Sequence, residues 1–147
     1  MQVFDPKKSV REMLDTQRFA VLATQCDRKP HTNLIAFAAT SDLQHVVFAT
    51  DRNTRKFARI SDNPNVALLV DNRTNRASDL TEATAVTASG NAGETKDQQR
   101  IQLAALLLGK HPYLRQFLAK PDCSLIAVTV HYYEVVTRFQ SVAEFRP

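Results

Sequence analysis

The stretch QHVVFATDRNTRKFARISDNPNVALLVD, residues 44–71, contains two β-type runs separated by a short amphipathic segment. Residues 44–50 are rich in β-branched and aromatic side chains, which favours a strand, and residues 65–71 predict a strand buried on both faces. Between them, Phe57 and Ile60 have the spacing of one face of a two-turn helix. An Asp-Asn-Pro tripeptide then ends that helix. The stretch therefore predicts strand, short helix and strand.

Similar β-type runs lie on both sides of this stretch. Residues 18–25 and 31–40 predict two strands joined by the polar turn CDRKP, and residues 84–92 alternate with a period of two. Residues 123–139 form a long, final β-rich run. Because parallel neighbours would need longer crossovers than these short polar connections, the strands are expected to be antiparallel.

Three further segments have helical patterns. Ser9 and Glu12 have the spacing of a capping box, which predicts a helix over residues 9–16, and Thr95 with Gln98 repeats that spacing before the apolar run LAALLL. A third, short helix is expected just before the last strand. The LAALLL helix is expected to pack in the core or a dimer interface, because a helix apolar nearly all round is normally buried. Together, about six strands with short peripheral helices predict a mainly β, α+β fold of the β-barrel type.

The composition is that of one ordinary globular domain. With 147 residues, 44% of them hydrophobic and 23% charged, residues 1–147 are expected to form a single domain with its own core. Only 3 glycines are present, which disfavours a fold with many left-handed turns and a glycine-rich phosphate loop. Cys26 and Cys123 lie far apart without ligand spacing, so neither a disulfide framework nor a metal site is predicted.

The charge pattern bears on partners and location. The net charge of +4 favours anionic partners, but the basic residues are scattered, which argues against a nucleic-acid surface. The longest apolar run is far shorter than the roughly 20 residues that span a bilayer. The first residues lack the apolar region of a signal peptide. A cytoplasmic protein without membrane contact is expected.

Thr54, Arg55 and Lys56 stand where the helix of the quoted stretch begins. A helix N-terminus carries partial positive charge, so cations in its first turn destabilise it by a few tenths of a kcal/mol to about 1 kcal/mol. A bound anion would reverse the sign of this effect. From spacing alone two interpretations stay open: a phosphate site, or solvated cations with Asp51 or Asp62 as partners.

The order of several short motifs resembles a known family. These motifs are Ala23-Thr24, Pro30, Thr50, Thr54-Arg55-Lys56 and Asn63-Pro64. In this order they resemble the FMN-binding split β-barrel family related to pyridoxamine 5'-phosphate oxidase, clearly over residues 18–73 and more weakly to Ala92. The resemblance implies a six-stranded antiparallel split β-barrel and a homodimer with two FMN sites at the subunit interface.

The same resemblance implies which residues bind FMN. The phosphate would be held at the end of the third strand and the start of the helix by Thr50, Thr54, Arg55 and Lys56. Residues of the second strand would lie along the isoalloxazine ring, largely through backbone groups: Asn33, Leu34 and Ile35. A polar loop of the partner subunit would approach the ring with Asp71, Asn72 and Arg73.

The sequence also departs from the family pattern. Authentic pyridoxamine phosphate oxidases resemble each other in an Arg-Gln-Val-Arg stretch where residues 84–87 here read Thr-Ala-Val-Thr, and in a Trp- and Arg-rich tail where this chain reads SVAEFRP and has no Trp. The resemblance therefore implies a flavin-dependent oxidoreductase or electron carrier with a small-molecule or protein redox partner, but not the vitamin-processing activity. No catalytic side chain is assigned.

Two alternatives use the same fold class differently. Certain members of the superfamily degrade haem, and His31 or His45, on strands beside the expected site, would then be a ligand or an acid/base group. All four histidines lack a metal-ligand spacing, which favours ordinary structural roles. A nucleic-acid-binding barrel is disfavoured because aromatic residues make up only 7% of the chain. Tyr132 and Tyr133 are expected on opposite faces of the last strand.

Overall fold

The computed structural model describes residues 3–147. Its strands are β1 (Phe19–Cys26), β2 (Lys29–Ala36), β3 (Ala38–Ala39), β4 (His45–Asp51), β5 (Asn65–Asp71), β6 (Thr84–Glu94), β7 (Cys123–Thr137) and β8 (Ser141–Phe145). Its helices are α1 (Pro6–Thr16), α2 (Arg55–Asp62), α3 (Asp79–Glu82), α4 (Asp97–Lys110), a 3₁₀ turn (Pro112–Leu114) and α5 (Arg115–Ala119). None of the helices in this described part of the chain is long and apolar enough to cross a membrane.

The strands form one antiparallel sheet that closes on itself. The order is β2-β1-β5-β6-β7-β4-β3, and β8 pairs with β7. Only Phe37 separates β2 from β3, so the two form one bent strand that pairs with β1 along its first part and with β4 along its second. Counted this way, six strands make the barrel and β8 is a seventh beside it. The predicted six-stranded split barrel is confirmed.

The barrel interior is filled by the alternate residues of each strand. In β1, for example, Ala20 and Leu22 point inward and are buried, and α1 and α2 pack over the same core. The prediction that residues 65–71 are buried on both faces is wrong. Leu69 is 36% exposed on the outer face of β5, whereas its inward-facing neighbours Leu68 and Val70 are buried.

A second apolar cluster lies outside the barrel, where α4 and α5 cover β4 and β7. Leu103 and Leu107 of α4 are buried there, as expected for the LAALLL helix. However, Ile101 on the same helix is 64% exposed, so α4 buries one stripe only.

The predicted capping boxes are wrong. Helix α1 begins at Pro6, and its N-cap is Asp5, which accepts from Lys8 N at 3.3 Å. A proline suits this first position because its missing N–H would have no partner there. Thr95 does not cap α4; its hydroxyl instead donates to Leu125 O at 2.8 Å.

The expectation that scarce glycine disfavours left-handed turns is also wrong. None of the glycines has a positive φ within residues 3–147, but seven other residues do: Asp27, Arg28, Leu43, Asn75, Asp97, Arg138 and Phe139. Two of them form the tight β1–β2 turn, where both central residues are left-handed as in a type I′ hairpin. The turns are therefore made from residues that carry some backbone strain.

Antiparallel pairing sorts the strand ends onto two ends of the barrel. One end carries the last residues of β1, β4 and β6 and the first residues of β2, β5 and β7. Helix α2, which connects β4 to β5, lies over this end, here called the α2 end. The loop 72–83 and the β7–β8 turn lie at the opposite end.

Candidate functional site

A cluster of hydroxyl groups marks the start of α2. Thr54 is the N-cap, and its Oγ1 accepts from Phe57 N at 3.2 Å. The same oxygen lies 3.1 Å from Thr50 Oγ1 and donates to Asp51 O at 2.8 Å. The helix begins at Arg55, as the sequence predicts, so both cations occupy its first turn.

Neither cation of this first turn has a carboxylate partner. Within residues 3–147, Arg55 and Lys56 form no salt bridge, and Asp51 instead accepts from Asn53 N at 2.7 Å. Arg55 is exposed, whereas Lys56 is half-buried, and burial lowers the pKa of its ammonium. An anion placed beside the helix start would stabilise both charges and the free N–H groups.

Unpartnered buried polar atoms also concentrate at the α2 end. Four buried side-chain polar atoms of the described residues lack a hydrogen-bond partner. Two belong to inward-facing residues at this end, Thr24 Oγ1 and Ser124 Oγ, and a third, Asn33 Oδ1, faces inward from the middle of β2. Ser124 lies directly across the β4–β7 ladder from Thr50. Native protein interiors leave few polar groups without a partner. These unpaired atoms therefore mark a polar region of the barrel interior.

The three predicted residues of the second strand do not share a face. Asn33 and Ile35 point into the barrel, and Ile35 is fully part of the core. Leu34 points outward and is 70% exposed. Only the Leu34 side chain can therefore lie against a ligand on the outer face; Asn33 and Ile35 would meet it through backbone groups.

The predicted loop residues lie at the opposite end of the same chain. Strand β5 separates Asp71 from the α2 end by seven residues, about 20 Å. Asp71 and Arg73 form an ion pair at 3.1 Å and line an outer groove of about 410 Å³ together with Leu34. Asn72 is turned away from this groove and accepts from Thr84 N at 2.8 Å. Within one chain, Leu34 and Arg73 therefore line the same groove, whereas the Thr54 cluster lies outside it.

Sequence reasoning missed several residues of these two regions. Thr24 and Ser124 were not assigned as site residues, although inward alternation of β1 and β7 places both hydroxyls in the barrel. Arg18 and Leu69 line the outer groove and also went unassigned. The period of two along each strand is the signal that would have separated inner from outer residues.

The four histidines differ in whether their rings have a hydrogen-bond partner. His111 Nε2 lies 2.8 Å from Phe37 O, and His131 Nε2 contacts Asn91 Oδ1. The rings of His31 and His45 form no hydrogen bond within residues 3–147. His31 faces inward at the α2 end, directly across from Thr24.

The adjacent tyrosines lie on opposite faces of β7, as predicted. Tyr133 is fully buried, its hydroxyl donates to Leu43 O at 2.8 Å, and burial raises its pKa strongly. Tyr132 lies on the outer face beneath Arg146. Neither lines the α2 end, so both read as packing residues.

Comparison with known proteins places these observations in context. Residues 6–137 match the family model described as pyridoxamine 5'-phosphate oxidase. No protein of curated function matches the sequence significantly.

Several solved structures have a similar fold. A haem-binding protein from Mycobacterium smegmatis superposes with a TM-score of 0.88 at 12% identity, over 99% of this chain and 60% of that one. Campylobacter jejuni ChuZ gives 0.82 at 14% identity, over 99% and 61%. A FAD-binding protein from Mesorhizobium loti gives 0.71 at 15% identity, over 89% and 92%. This chain spans about three fifths of the first two proteins. At these identities the likeness is one of fold alone.

Proposed function

Because the chain belongs to the pyridoxamine 5'-phosphate oxidase family, whose model matches residues 6–137, we propose that it is a cytoplasmic, homodimeric FMN-binding protein. When bound, FMN supplies the redox chemistry, and the chain supplies binding, orientation and electrostatics. The function is that of a flavin-dependent oxidoreductase or electron carrier with a small-molecule or protein redox partner.

The observation that carries this proposal is the unpaired, half-buried Lys56 at the start of α2. Beside it, Arg55 and the Thr50 hydroxyl offer further donors, and the helix adds its free N–H groups. The Thr54 hydroxyl donates to Asp51 O in this structure and would turn to donate to a bound phosphate. A phosphate monoester matches this donor set in charge and in its number of acceptor oxygens. Thr50, Thr54, Arg55 and Lys56 would therefore hold the FMN phosphate.

A contrast within the chain supports this assignment. Lys7 and Lys8 also occupy the first turn of a helix, α1, but both are exposed, and Lys8 is paired with Glu12 at 4.0 Å. Cations at a helix start are thus not unusual in this protein. Burial without a partner is what distinguishes Lys56.

The homodimer is supported by the outer face of the sheet. Phe19, Leu34 and Val142 are each more than half exposed, and Leu69 is 36% exposed on the same face. An apolar face of this kind favours burial against a second copy. Asp71 and Arg73 of the same chain already line the groove that contains Leu34, and a second copy would add its own Asp71, Asn72 and Arg73 beside a ring held along Asn33, Leu34 and Ile35.

The oxidase activity on pyridoxamine phosphate is not part of the proposal. Residues 84–87 read Thr-Ala-Val-Thr at the start of β6, and they place no cation where authentic oxidases have two arginines.

The test removes the two cations and compares two flavins. Arg55→Ala with Lys56→Ala is expected to weaken FMN binding at least about 100-fold, since charged hydrogen bonds contribute about 1.5–3 kcal/mol each. Riboflavin, which lacks the phosphate, should bind the variant and the unmodified protein equally. Binding is measured by quenching of flavin fluorescence.

The matched control is Lys7→Ala with Lys8→Ala, which removes two cations from the first turn of α1. It should leave the affinity for FMN unchanged. An unchanged FMN affinity in the Arg55/Lys56 variant would place the phosphate elsewhere and overturn the site assignment.

Haem binding is the second candidate, favoured by the free rings of His31 and His45 and by the likeness to a haem-binding fold. The absorbance spectrum of the protein as purified separates the two. A flavin spectrum supports FMN, with the released cofactor identified by mass. A Soret band that disappears in His31→Ala or His45→Ala would replace the flavin proposal.

A further inference from the structure

A second, smaller cavity lies on the outer face of the sheet at the end opposite α2. It has a volume of about 230 Å³. Its floor is formed by Leu69, Ala85 and Val136 from three neighbouring strands, and Phe139 forms one wall. This volume is below the roughly 300 Å³ at which typical ligand pockets begin, so it suits one or two rings rather than a large ligand.

The wall residue Phe139 is unusual in two respects. Its side chain is 65% exposed, and its backbone has a φ of 59°, in the left-handed region that bulky residues rarely adopt. The backbone strain and the exposed apolar surface are both unfavourable in the isolated chain. A flat ligand packed against the ring would recover the second of these costs.

The polar rim of the cavity offers one free donor group. Arg73 Nε is 3.1 Å from Asp71, but its two terminal nitrogens form no hydrogen bond within residues 3–147. The carboxylate of Asp79 is already occupied by donors of its own loop, namely Thr74 N and Oγ1, Asn75 N and Arg76 N. The free group that a ligand would meet is therefore the guanidinium end of Arg73.

The charge at the rim selects the ligand. One guanidinium faces two carboxylates, Asp71 and Asp79, so an anionic ligand is disfavoured by the excess negative charge. A cation is also disfavoured, because both carboxylates already have partners. An uncharged ring with a carbonyl oxygen meets neither objection and can accept from Arg73.

We propose that this cavity binds a small, flat, uncharged quinone-type ring whose carbonyl oxygen accepts from Arg73 while the ring packs against Phe139. The cavity shares Leu69, Asp71 and Arg73 with the groove that contains Leu34. A bound quinone would thus lie beside the flavin ring, and its role as a substrate rests on the proposed function; its binding does not.

The test is a titration with duroquinone, whose four methyl groups prevent addition to Cys26. Binding is followed by the amide signals of Ala85, Val136 and Phe139 in ¹H–¹⁵N spectra. We expect Phe139→Ala and Arg73→Met each to weaken binding at least about tenfold. Ala85→Leu, which fills the floor, should abolish binding while the rest of the spectrum stays folded.

Two controls sharpen the result. Tyr113→Ala removes an aromatic side chain that is 97% exposed elsewhere, and it should leave the affinity unchanged. The anion 2,3,5,6-tetramethylbenzoate has the same four methyl groups and should bind more weakly than duroquinone. Equal binding to the unmodified protein, Phe139→Ala and Ala85→Leu would overturn the inference, as would tighter binding of the benzoate.

Flavin content is measured on the same samples to separate the two proposals. A protein that carries flavin but does not bind duroquinone overturns the cavity inference alone. A protein that binds duroquinone at the cavity but neither carries nor takes up flavin overturns the proposed function alone.

Discussion

Gly90 of β6 lies directly against the backbone carbonyl of Thr129 in β7, so that a Cβ atom at position 90 would overlap the Thr129 oxygen. The register of the two strands shifts at this point, which marks a β-bulge. Gly90→Ala is therefore expected to destabilise the protein by about 1–3 kcal/mol, the usual range for overpacking against atoms that cannot move aside. Urea unfolding followed by circular dichroism measures the change.

The matched control for that substitution lies three residues along the same strand. A Cβ atom at Gly93 would meet nothing within 4 Å, so Gly93→Ala should leave the free energy of unfolding unchanged or slightly higher. Equal effects of the two substitutions would show that loss of glycine in β6, rather than contact with Thr129, sets the cost.

The β1–β2 turn predicts a stabilising substitution. Arg28 is held at a φ of 63°, a conformation that a long side chain disfavours and glycine adopts freely. Arg28→Gly should therefore raise the free energy of unfolding by about 0.5–1 kcal/mol. Lys29→Gly, at the first residue of β2, should lower it, because the extended backbone there gains nothing from glycine. A loss of stability in Arg28→Gly would contradict the assignment of strain to this turn.

The N-cap of α2 predicts a loss that a conservative replacement restores. Thr54→Ala removes the acceptor for Phe57 N and should cost about 1 kcal/mol of stability, whereas Thr54→Ser keeps the oxygen and should restore most of it. The same pair tests the proposed phosphate site. FMN affinity should fall in the alanine variant and recover in the serine variant, while riboflavin affinity stays constant. Identical FMN affinity in both variants would remove the hydroxyl from the site.

Lys110 predicts how stability depends on pH. Burial lowers the pKa of its ammonium to about 8, with Asp15 opposing and Arg18 adding to the shift. The unfolded chain keeps a lysine pKa of about 10.4, so the folded state binds protons less readily between these values. The contribution of Lys110 to stability is therefore fully present above about pH 10.4 and is lost as the pH falls through about 8.

The measurement for Lys110 compares the protein with its Lys110→Met variant. From pH 8 to pH 10 the free energy of unfolding of the unmodified protein should rise relative to the variant. The rise should be on the order of 1 kcal/mol after discounting for the half-exposed side chain. Two contacts limit it by favouring the charged form: Nζ donates to Leu14 O at 2.8 Å and lies 3.9 Å from the Phe37 ring centre. Parallel curves for the two proteins would show that the pKa is not displaced.

The sequence predicted well where local signals agree. Strand β5 and helix α2 were placed within a residue or two, because Asn63-Pro64 stops the helix and the apolar run that follows is short. The sequence placed the Thr54-Arg55-Lys56 cluster where this helix begins, and the structure shows Thr54 as its N-cap. The sequence alone therefore predicted that Arg55 and Lys56 both lie in the first turn of this helix.

Tertiary contacts decided what the sequence left open or suggested wrongly. Thr95 has the spacing of an N-cap, but its hydroxyl donates instead to Leu125 O on β7, which also accepts from Thr95 N. The strain at Arg28 is imposed by a two-residue connection between strands whose register is fixed by the core. The sequence also could not show that Lys56 lacks a carboxylate partner. Asp51 is close enough in sequence to be one, but its carboxylate accepts from the backbone amide of Asn53 instead.

The position of β7 between β6 and β4 has a consequence for how the chain folds. Ala127 of β7 pairs with Gly93 of β6 on one side and with Val47 of β4 on the other. These two partners lie at very different distances from β7 along the sequence. Closure of the barrel therefore needs a loop of about eighty residues to be formed, and contacts of this separation slow folding. During synthesis the earlier strands can pair locally as hairpins, but β4 has no long partner until residues 123–137 have left the ribosome. The rate-limiting step should thus be the docking of β7, and substitutions in its first half should slow refolding more than those in the β1–β2 hairpin.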